Sequence, residues 1–154
     1  MIQVVILAGG PGENLWPLSR QKMPKQFLKL LDNDMSLFQI TVNRFITLKK
    51  KYLEYEFKLT VVCNDSNKFL VKQQALEIEE FNFDIIAEPI NRKTTAAITS
   101  ALELFNDEDM VLVIPSDQIW DENEFCECVL KLLLKNHEGI SFIGVKPYYP
   151  ATRF

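Results

Sequence analysis

Short apolar runs alternate with amphipathic stretches along this chain. Five of the runs have the length and composition of buried strands. They are Gln3–Ala8, Leu59–Cys63, Asp84–Ala87, Met110–Ile114 and Ile140–Val145. Because strands that alternate with helices imply right-handed βαβ crossovers, the pattern predicts an α/β fold. We expect a Rossmann-like, doubly wound domain built on a mostly parallel sheet.

Four helices are predicted between the strands. Ser36 and Ser66 are placed to cap the first two, since serine readily accepts a hydrogen bond from the free amides of a first helical turn. The first has Leu37, Ile40, Phe45 and Leu48 on its apolar face, and the second has Phe69, Leu70 and Leu76. Thr94–Phe105 and Glu122–Leu134 have apolar residues at the same spacing. Lysines 49–51 are expected to be the solvated end of the first helix.

Composition and charge narrow the class of protein. With 154 residues, 47% of them hydrophobic, and no repeat or linker, residues 1–154 are expected to form a single domain. The net charge of −4 argues against nucleic acid and anionic membranes as partners. No apolar run approaches the ~20 residues that span a bilayer, and no basic segment precedes the first run, so no signal peptide is expected. Three cysteines without framework spacing predict a reducing, cytoplasmic location, with Cys63 in the core.

A glycine cluster follows the first apolar run. Gly9, Gly10 and Gly12 leave a loop almost free of side chains, so backbone amides can approach a phosphate or a base closely. Arg20 and Lys25 add two cations shortly after it. Ligands of open parallel sheets bind at the carboxyl ends of strands, where this loop lies. We therefore expect a nucleotide site here, the alternative being a tight turn between strand and helix.

Two familiar phosphate loops are excluded by the residues themselves. A P-loop would end in Gly-Lys-Ser/Thr, and the chain contains no such triplet. A dinucleotide fingerprint would have a third glycine where Leu15 stands. An ordinary nucleoside triphosphatase and an NAD enzyme are both disfavoured.

Longer motifs extend the glycine cluster. Leu7-Ala8-Gly9-Gly10-x-Gly12, Leu15-Trp16-Pro17-Leu18-Ser19-Arg20 and Pro24-Lys25-Gln26-Phe27 resemble the signature of mannose-1-phosphate guanylyltransferases, within the sugar nucleotidyltransferase superfamily. Further matching segments follow in order: Val62-Cys63-Asn64, Glu88-Pro89-x-x-Arg92-x-Thr94, Pro115-Ser116-Asp117 and Gly144-Val145-Lys146-Pro147. The resemblance covers essentially the whole chain but only the first part of the family's own chain.

The resemblance implies a reaction and a set of site residues. The reaction is GTP plus mannose 1-phosphate giving GDP-mannose and pyrophosphate, with Mg²⁺ as cofactor. Lys25 and Asp117 would be catalytic, and Asp117 would hold the metal. The nucleotide-binding residues would be Leu7, Ala8, Gly9, Gly10, Gly12, Arg20, Lys25, Glu88, Pro89, Arg92 and Thr94. Simpler alternatives remain: Asp117 as a turn or helix-cap residue, Arg20 and Lys25 as surface cations, and Thr94 as a helix cap.

Several departures from the family pattern bear on activity. Glu13-Asn14 stand where the family usually has Thr-Arg, and that Arg lies along the triphosphate. Gln118 replaces a His, and Lys93, Thr95 and Ala96 replace Asn, Ala and Pro. The family's sugar-contacting segments lie past Phe154, so little GDP-mannose synthesis is expected from this chain alone.

Two further hypotheses follow from those departures. One is a catalytically impaired nucleotide-binding or regulatory remnant that acts through a partner chain. A homodimer or that partner would then cover the unfinished sheet. The other, less favoured because the motif residues are mostly retained, is a purely structural interaction module.

Asn14→Arg is predicted to tighten nucleoside triphosphate binding by about 1.5–3 kcal/mol, the range of a charge-assisted hydrogen bond. The substitution restores a cation beside the phosphates. Calorimetric titration of both proteins with GTP measures the change. Unchanged or weaker affinity would show that this loop does not contact phosphates.

Overall fold

The computed structural model describes residues 1–12, 15–78, 82–135 and 139–146. These fall into two compact units, Met1–Ile119 and Trp120–Phe154. No helix in the described ranges is long and apolar enough to cross a membrane.

The first unit is built on a parallel sheet. Its four strands lie in the order β3-β2-β1-β4, and each neighbouring pair is parallel. The strands are β1 (Ile2–Leu7), β2 (Phe57–Asn64), β3 (Asp84–Glu88) and β4 (Met110–Pro115). The helices of this unit are α1 (Leu37–Lys51), α2 (Lys68–Leu76) and α3 (Lys93–Leu102). The predicted α/β class is confirmed, and the first four predicted strands lie within a residue or two of the observed ones.

Both faces of the sheet are covered by helices. On one face Val5 and Val62 form a buried cluster with Ala97 and Ala101 of α3. On the other, Phe45 of α1 packs edge-on against Phe57 of β2, with ring centroids 5.9 Å apart. Side chains alternate between the faces of a strand, so the central strand β1 is buried on both sides. This explains why β1 is a continuous apolar run rather than an alternating one.

Helix α1 begins where the sequence predicts. Ser36 is its N-cap: the Ser36 hydroxyl accepts a hydrogen bond from the Gln39 amide, and the Gln39 side chain accepts one from the Ser36 amide. This reciprocal pair satisfies two amides that would otherwise lack partners. Lysines 49–51 at the other end are exposed, as expected.

The prediction for α2 is wrong in its cap and in its buried face. The Asn64 side chain accepts a hydrogen bond from the Ser66 amide at 3.0 Å, so residues 65–67 form a 3₁₀ turn and α2 begins only at Lys68. Val71 and Ala75 are therefore the buried residues. Phe69 and Leu76 are exposed by 81% and 80%.

The predicted strand Ile140–Val145 is also wrong. Residues 140–146 have no strand conformation, and Ile140 and Phe142 are exposed by 86% and 88%. A strand is stable only when a neighbour accepts its backbone hydrogen bonds, which no apolar pattern supplies by itself.

Helix α4 (Glu122–Leu134), in the second unit, matches its prediction. Its N-cap is Asp121, whose carboxylate accepts hydrogen bonds from the amides of Asn123 and Glu124 at 3.0 Å. Phe125, Val129 and Leu133 are buried along one side of the helix.

Candidate functional site

The predicted motifs meet at one edge of the sheet. Leu7 at the end of β1 pairs in register with Pro115 of β4, and Asn64 of β2 pairs with Glu88 of β3. The glycine loop, the Glu88 segment and Ser116-Asp117 therefore leave the sheet from the same end. Converging loops at the carboxyl ends of parallel strands are where ligands of such sheets bind.

Gly12 is held in a conformation that only glycine adopts easily. Its φ is +68°, and a Cβ added there would lie 2.5 Å from the backbone nitrogen of Lys25. Gly10 is different, since a Cβ there would meet nothing within 4 Å. The loop is thus pressed at Gly12 against the short 3₁₀ turn Lys25–Phe27, which brings Lys25 to the end of β1.

Side chains bind nearly all the carbonyls of the glycine loop. The buried amide of Gln26 donates to the carbonyl oxygens of Ala8 and Gly10, both at 2.9 Å. The Ser19 hydroxyl donates to the carbonyl of Gly12, and Asn91 Nδ2 donates to that of Gly9 at 2.9 Å. Sequence reasoning assigned no role to these three polar residues. Gln26 and Ser19 stand inside the quoted motifs, but Asn91 gave no signal.

Lys25 and Asp117 form an ion pair across the site. Lys25 Nζ lies 2.6 Å from Asp117 Oδ2, and each side chain is 30% exposed. The structure thus brings together the two residues predicted to be catalytic, one from the 3₁₀ turn Lys25–Phe27 and the other from the segment after β4. Of the simpler alternatives for Asp117, the structure supports the turn, since residues 116 and 117 form one, but not the helix cap, because Asp121 caps the helix that follows.

Glu88 is a buried carboxylate beside the glycine loop. It is only 9% exposed, and its Oε2 would lie 3.6 Å from a Cβ placed on Gly9. In the part of the chain that the structure describes, no donor hydrogen-bonds to this carboxylate. Its oxygens are not among the fully buried polar atoms of the described residues that lack a partner, so they are open to solvent and can accept hydrogen bonds from a ligand.

The neighbouring Cys63 is a core residue, as expected. It is fully buried, and burial raises the pKa of its thiol to about 11, with a further rise from the nearby Asp65 carboxylate. The thiol therefore stays protonated at neutral pH and is a poor nucleophile.

The other residues predicted to bind the nucleotide lie on the surface of the protein. Arg20 and Arg92 are exposed, as are Pro89 and Thr94. Helix α3 begins at Lys93, whose amide is bound by Asn91 Oδ1 at 2.9 Å, so Thr94 is not its cap.

Leu7 and Ala8 make packing and hydrogen-bond contacts within the sheet. Leu7 packs partly buried against the cluster under α3, and the Ala8 amide donates to the Val62 carbonyl at 2.8 Å. Glu13-Asn14, the departure expected to weaken phosphate binding, lie outside the described residues.

The chemistry of a metal here rests on Asp117. Within the described ranges no three acidic, histidine or cysteine side chains cluster as metal ligands. Mg²⁺ commonly binds through one or two carboxylates and the phosphates of its substrate, keeping several waters. A single carboxylate that follows β4 and lies near the glycine loop fits that mode of binding.

The fold is that of a Rossmann-like α/β protein, and the similarity of the chain to known proteins identifies its family. The family profile described as nucleotidyl transferase matches residues 3–154, so the chain belongs to that family.

Curated relatives cover the whole chain. It is 35% identical over 157 residues to a mannose-1-phosphate guanylyltransferase of Salmonella montevideo, a match that covers 100% of this chain and 32% of the relative. A mannose-1-phosphate guanylyltransferase of Salmonella typhimurium is 39% identical over 160 residues, and this match covers 97% of this chain and 31% of the relative. The chain thus spans about a third of the length of the curated relatives it matches.

A solved structure shares the fold. The crystal structure of a mannose-6-phosphate isomerase from Helicobacter pylori matches with a TM-score of 0.66 and 25% identity, over 86% of this chain and 45% of that one.

Gly12→Ala is predicted to destabilise the protein by roughly 1–3 kcal/mol, the usual cost of a residue forced into a sparsely populated backbone region. The added methyl group would also collide with the Lys25 backbone. Gly10→Ala is the matched control, since its methyl group meets open space, and it should change stability by less than about 1 kcal/mol. Urea denaturation of the three proteins tests this, and equal stability of the two variants would contradict the loop geometry.

Proposed function

We propose that this chain binds GTP with Mg²⁺ and contributes the nucleotide half of a mannose-1-phosphate guanylyltransferase site. The observation that carries the proposal is the Lys25–Asp117 pair, 2.6 Å apart at the end of the glycine loop. A cation for phosphate and a carboxylate for metal, beside open loop amides, are the groups that a metal triphosphate needs.

The reaction proposed is a direct nucleotidyl transfer. A phosphate oxygen of mannose 1-phosphate would attack the α-phosphorus of GTP as the bond to the leaving pyrophosphate breaks. No protein nucleophile is needed, so the contribution of the chain is positioning and charge stabilisation. Lys25 would hold triphosphate oxygens, and Asp117 would hold Mg²⁺, which neutralises the negative charge that develops on the phosphates.

The base preference is assigned to Glu88. Guanine presents two adjacent donors, N1–H and the 2-amino group, and a carboxylate accepts from both. The carboxylate of Glu88 lies beside Gly9 and accepts no hydrogen bond from the described residues, so it has the chemistry for this contact. A uracil base lacks that pair of donors.

A reducing compartment suits the proposed enzyme. None of the three cysteines, all within the described residues, forms a disulfide, and Cys63 and Cys126 are buried. Cytoplasmic proteins keep their thiols reduced in this way.

Calorimetric titration and pyrophosphate release together test the proposal. We expect heat with GTP and Mg²⁺, less with UTP, and GTP-dependent pyrophosphate release that requires mannose 1-phosphate. Binding without release would favour the nucleotide-binding remnant that acts through a partner chain. No binding of any nucleotide at millimolar concentration would refute both.

Lys25→Gln is predicted to have opposite effects on two ligands. GTP binding should weaken by about 1.5–3 kcal/mol, because a charge-assisted contact to phosphate is lost. Mg²⁺ alone should bind more tightly, because the competing ammonium has left Asp117. Calorimetry with each ligand measures both, and Lys72→Gln, an exposed charge on α2, is the control. If the two affinities fall together, Lys25 and Asp117 do not have these separate roles.

Glu88→Gln is predicted to reduce discrimination between guanine and hypoxanthine. The wild type should bind GTP more tightly than ITP, which lacks the 2-amino group, and the variant should lose most of that difference. A discrimination of roughly 1–3 kcal/mol is expected for a buried polar contact. Competition titrations measure it, with Glu103→Gln at the exposed end of α3 as control. A GTP-to-ITP ratio unaffected by Glu88→Gln would assign base recognition elsewhere.

A further inference from the structure

We propose that Asn91 is a positioning residue for the triphosphate, acting with Gln26 to set which way the glycine loop presents its peptide groups. The proposal rests on the proposed function, since it concerns how that nucleotide is held. Asn91 would not touch the ligand. It would act through the Gly9 carbonyl, to which it donates at 2.9 Å.

The hydrogen bonds of the loop are divided unequally between carbonyls and amides. The carbonyls of Ala8, Gly9 and Gly10 each accept a bond from a side-chain amide, two from Gln26 and one from Asn91. Among the described residues, the backbone amides of Gly9 and Gly10 donate to none. The loop therefore has its acceptors engaged and its donors available.

Because its carbonyls are engaged and its amides are available, the loop favours binding of an anion. A peptide group that turned its carbonyl toward a phosphate would repel it, whereas successive backbone N–H groups form an anion-binding concavity. Glycine loops rotate easily, since they lack the side chains that restrict φ and ψ. The hydrogen bonds from Asn91 and Gln26 oppose that rotation before the ligand arrives, which reduces the cost of ordering the loop on binding.

Asn91 also joins two parts of the site. Its Nδ2 donates to the loop after β1, while its Oδ1 accepts from the Lys93 amide at the start of α3. One exposed side chain thus connects the phosphate loop to the segment Glu88–Thr94, which we assign to the base. Gln26 holds the loop from the buried side and is only 2% exposed, so its replacement would disturb folding as well.

Asn91→Ser separates the two contacts without changing charge. A serine hydroxyl can accept from the amide two residues on, as in an ST-turn, so the contact to α3 is retained. It is too short to reach the Gly9 carbonyl, so the contact to the loop is lost. Asn106→Ser is the matched control, since Asn106 is exposed and lies at the opposite end of the sheet.

The test measures the affinity for GTP by calorimetry, the affinity for guanosine by NMR titration, and the stability of each protein by urea denaturation. We expect Asn91→Ser to weaken GTP binding about five- to tenfold, the equivalent of one hydrogen bond. Guanosine affinity should match that of Asn106→Ser, since guanosine has no phosphate. The urea midpoint should fall by no more than one hydrogen bond is worth, about 0.5–1.5 kcal/mol, so the variant is still folded in the titrations.

The possible results separate this inference from the proposed function. A wild type that binds GTP, with Asn91→Ser binding it equally well, overturns the role of Asn91 and leaves the proposed function standing. An equal loss for GTP and guanosine also overturns it, since the effect would then not pass through the phosphates. If the wild type binds no GTP at all, the proposed function fails, and the inference fails with it.

Discussion

The parallel hydrogen bonding of β1 with β2 on one side and β4 on the other is the constraint on which the site depends. Val4, Val5 and Ile6 are fully buried, so any shift of register would remove apolar side chains from both helix-covered faces. The register in turn fixes the points at which the chain leaves the sheet. The glycine loop and Asp117 are neighbours because Leu7 pairs with Pro115.

Loops that leave a buried sheet must satisfy their own backbone groups. Here the donors come from side chains far apart in the sequence, Gln26 and Asn91 among them. Gly12 packs closely against the Lys25 backbone, and this approach brings the neighbouring Gln26 side chain within reach of the loop. The same packing that buries the polar backbone also determines which face of the loop is open, so stability and ligand binding are coupled at this edge of the sheet.

The sequence predicts what depends on periodicity and local capping, and fails where the answer depends on distant partners. Apolar runs located the four strands, and Ser36 located the start of α1. The buried face of α2 was mispredicted because the larger apolar residues Phe69 and Leu76 are exposed while Val71 and Ala75 are buried, a choice that depends on packing against other elements. Ile140–Val145 has a strand's composition but no described partner. Motif resemblance predicted Lys25 and Asp117 as site residues, yet their ion pair depends on strand order, which no local pattern contains.

Lys93 shows how a departure from the family pattern acts through the backbone. Its φ is +69°, a left-handed conformation that asparagine, the residue expected there from the family, adopts more readily than lysine. The hydrogen bond from its amide to Asn91 Oδ1 stabilises this turn, while its side chain is exposed. The substitution therefore adds strain of order 1 kcal/mol at the start of α3, while the lysine side chain itself is exposed. The stability of the turn then depends more heavily on Asn91, the residue that also binds the glycine loop.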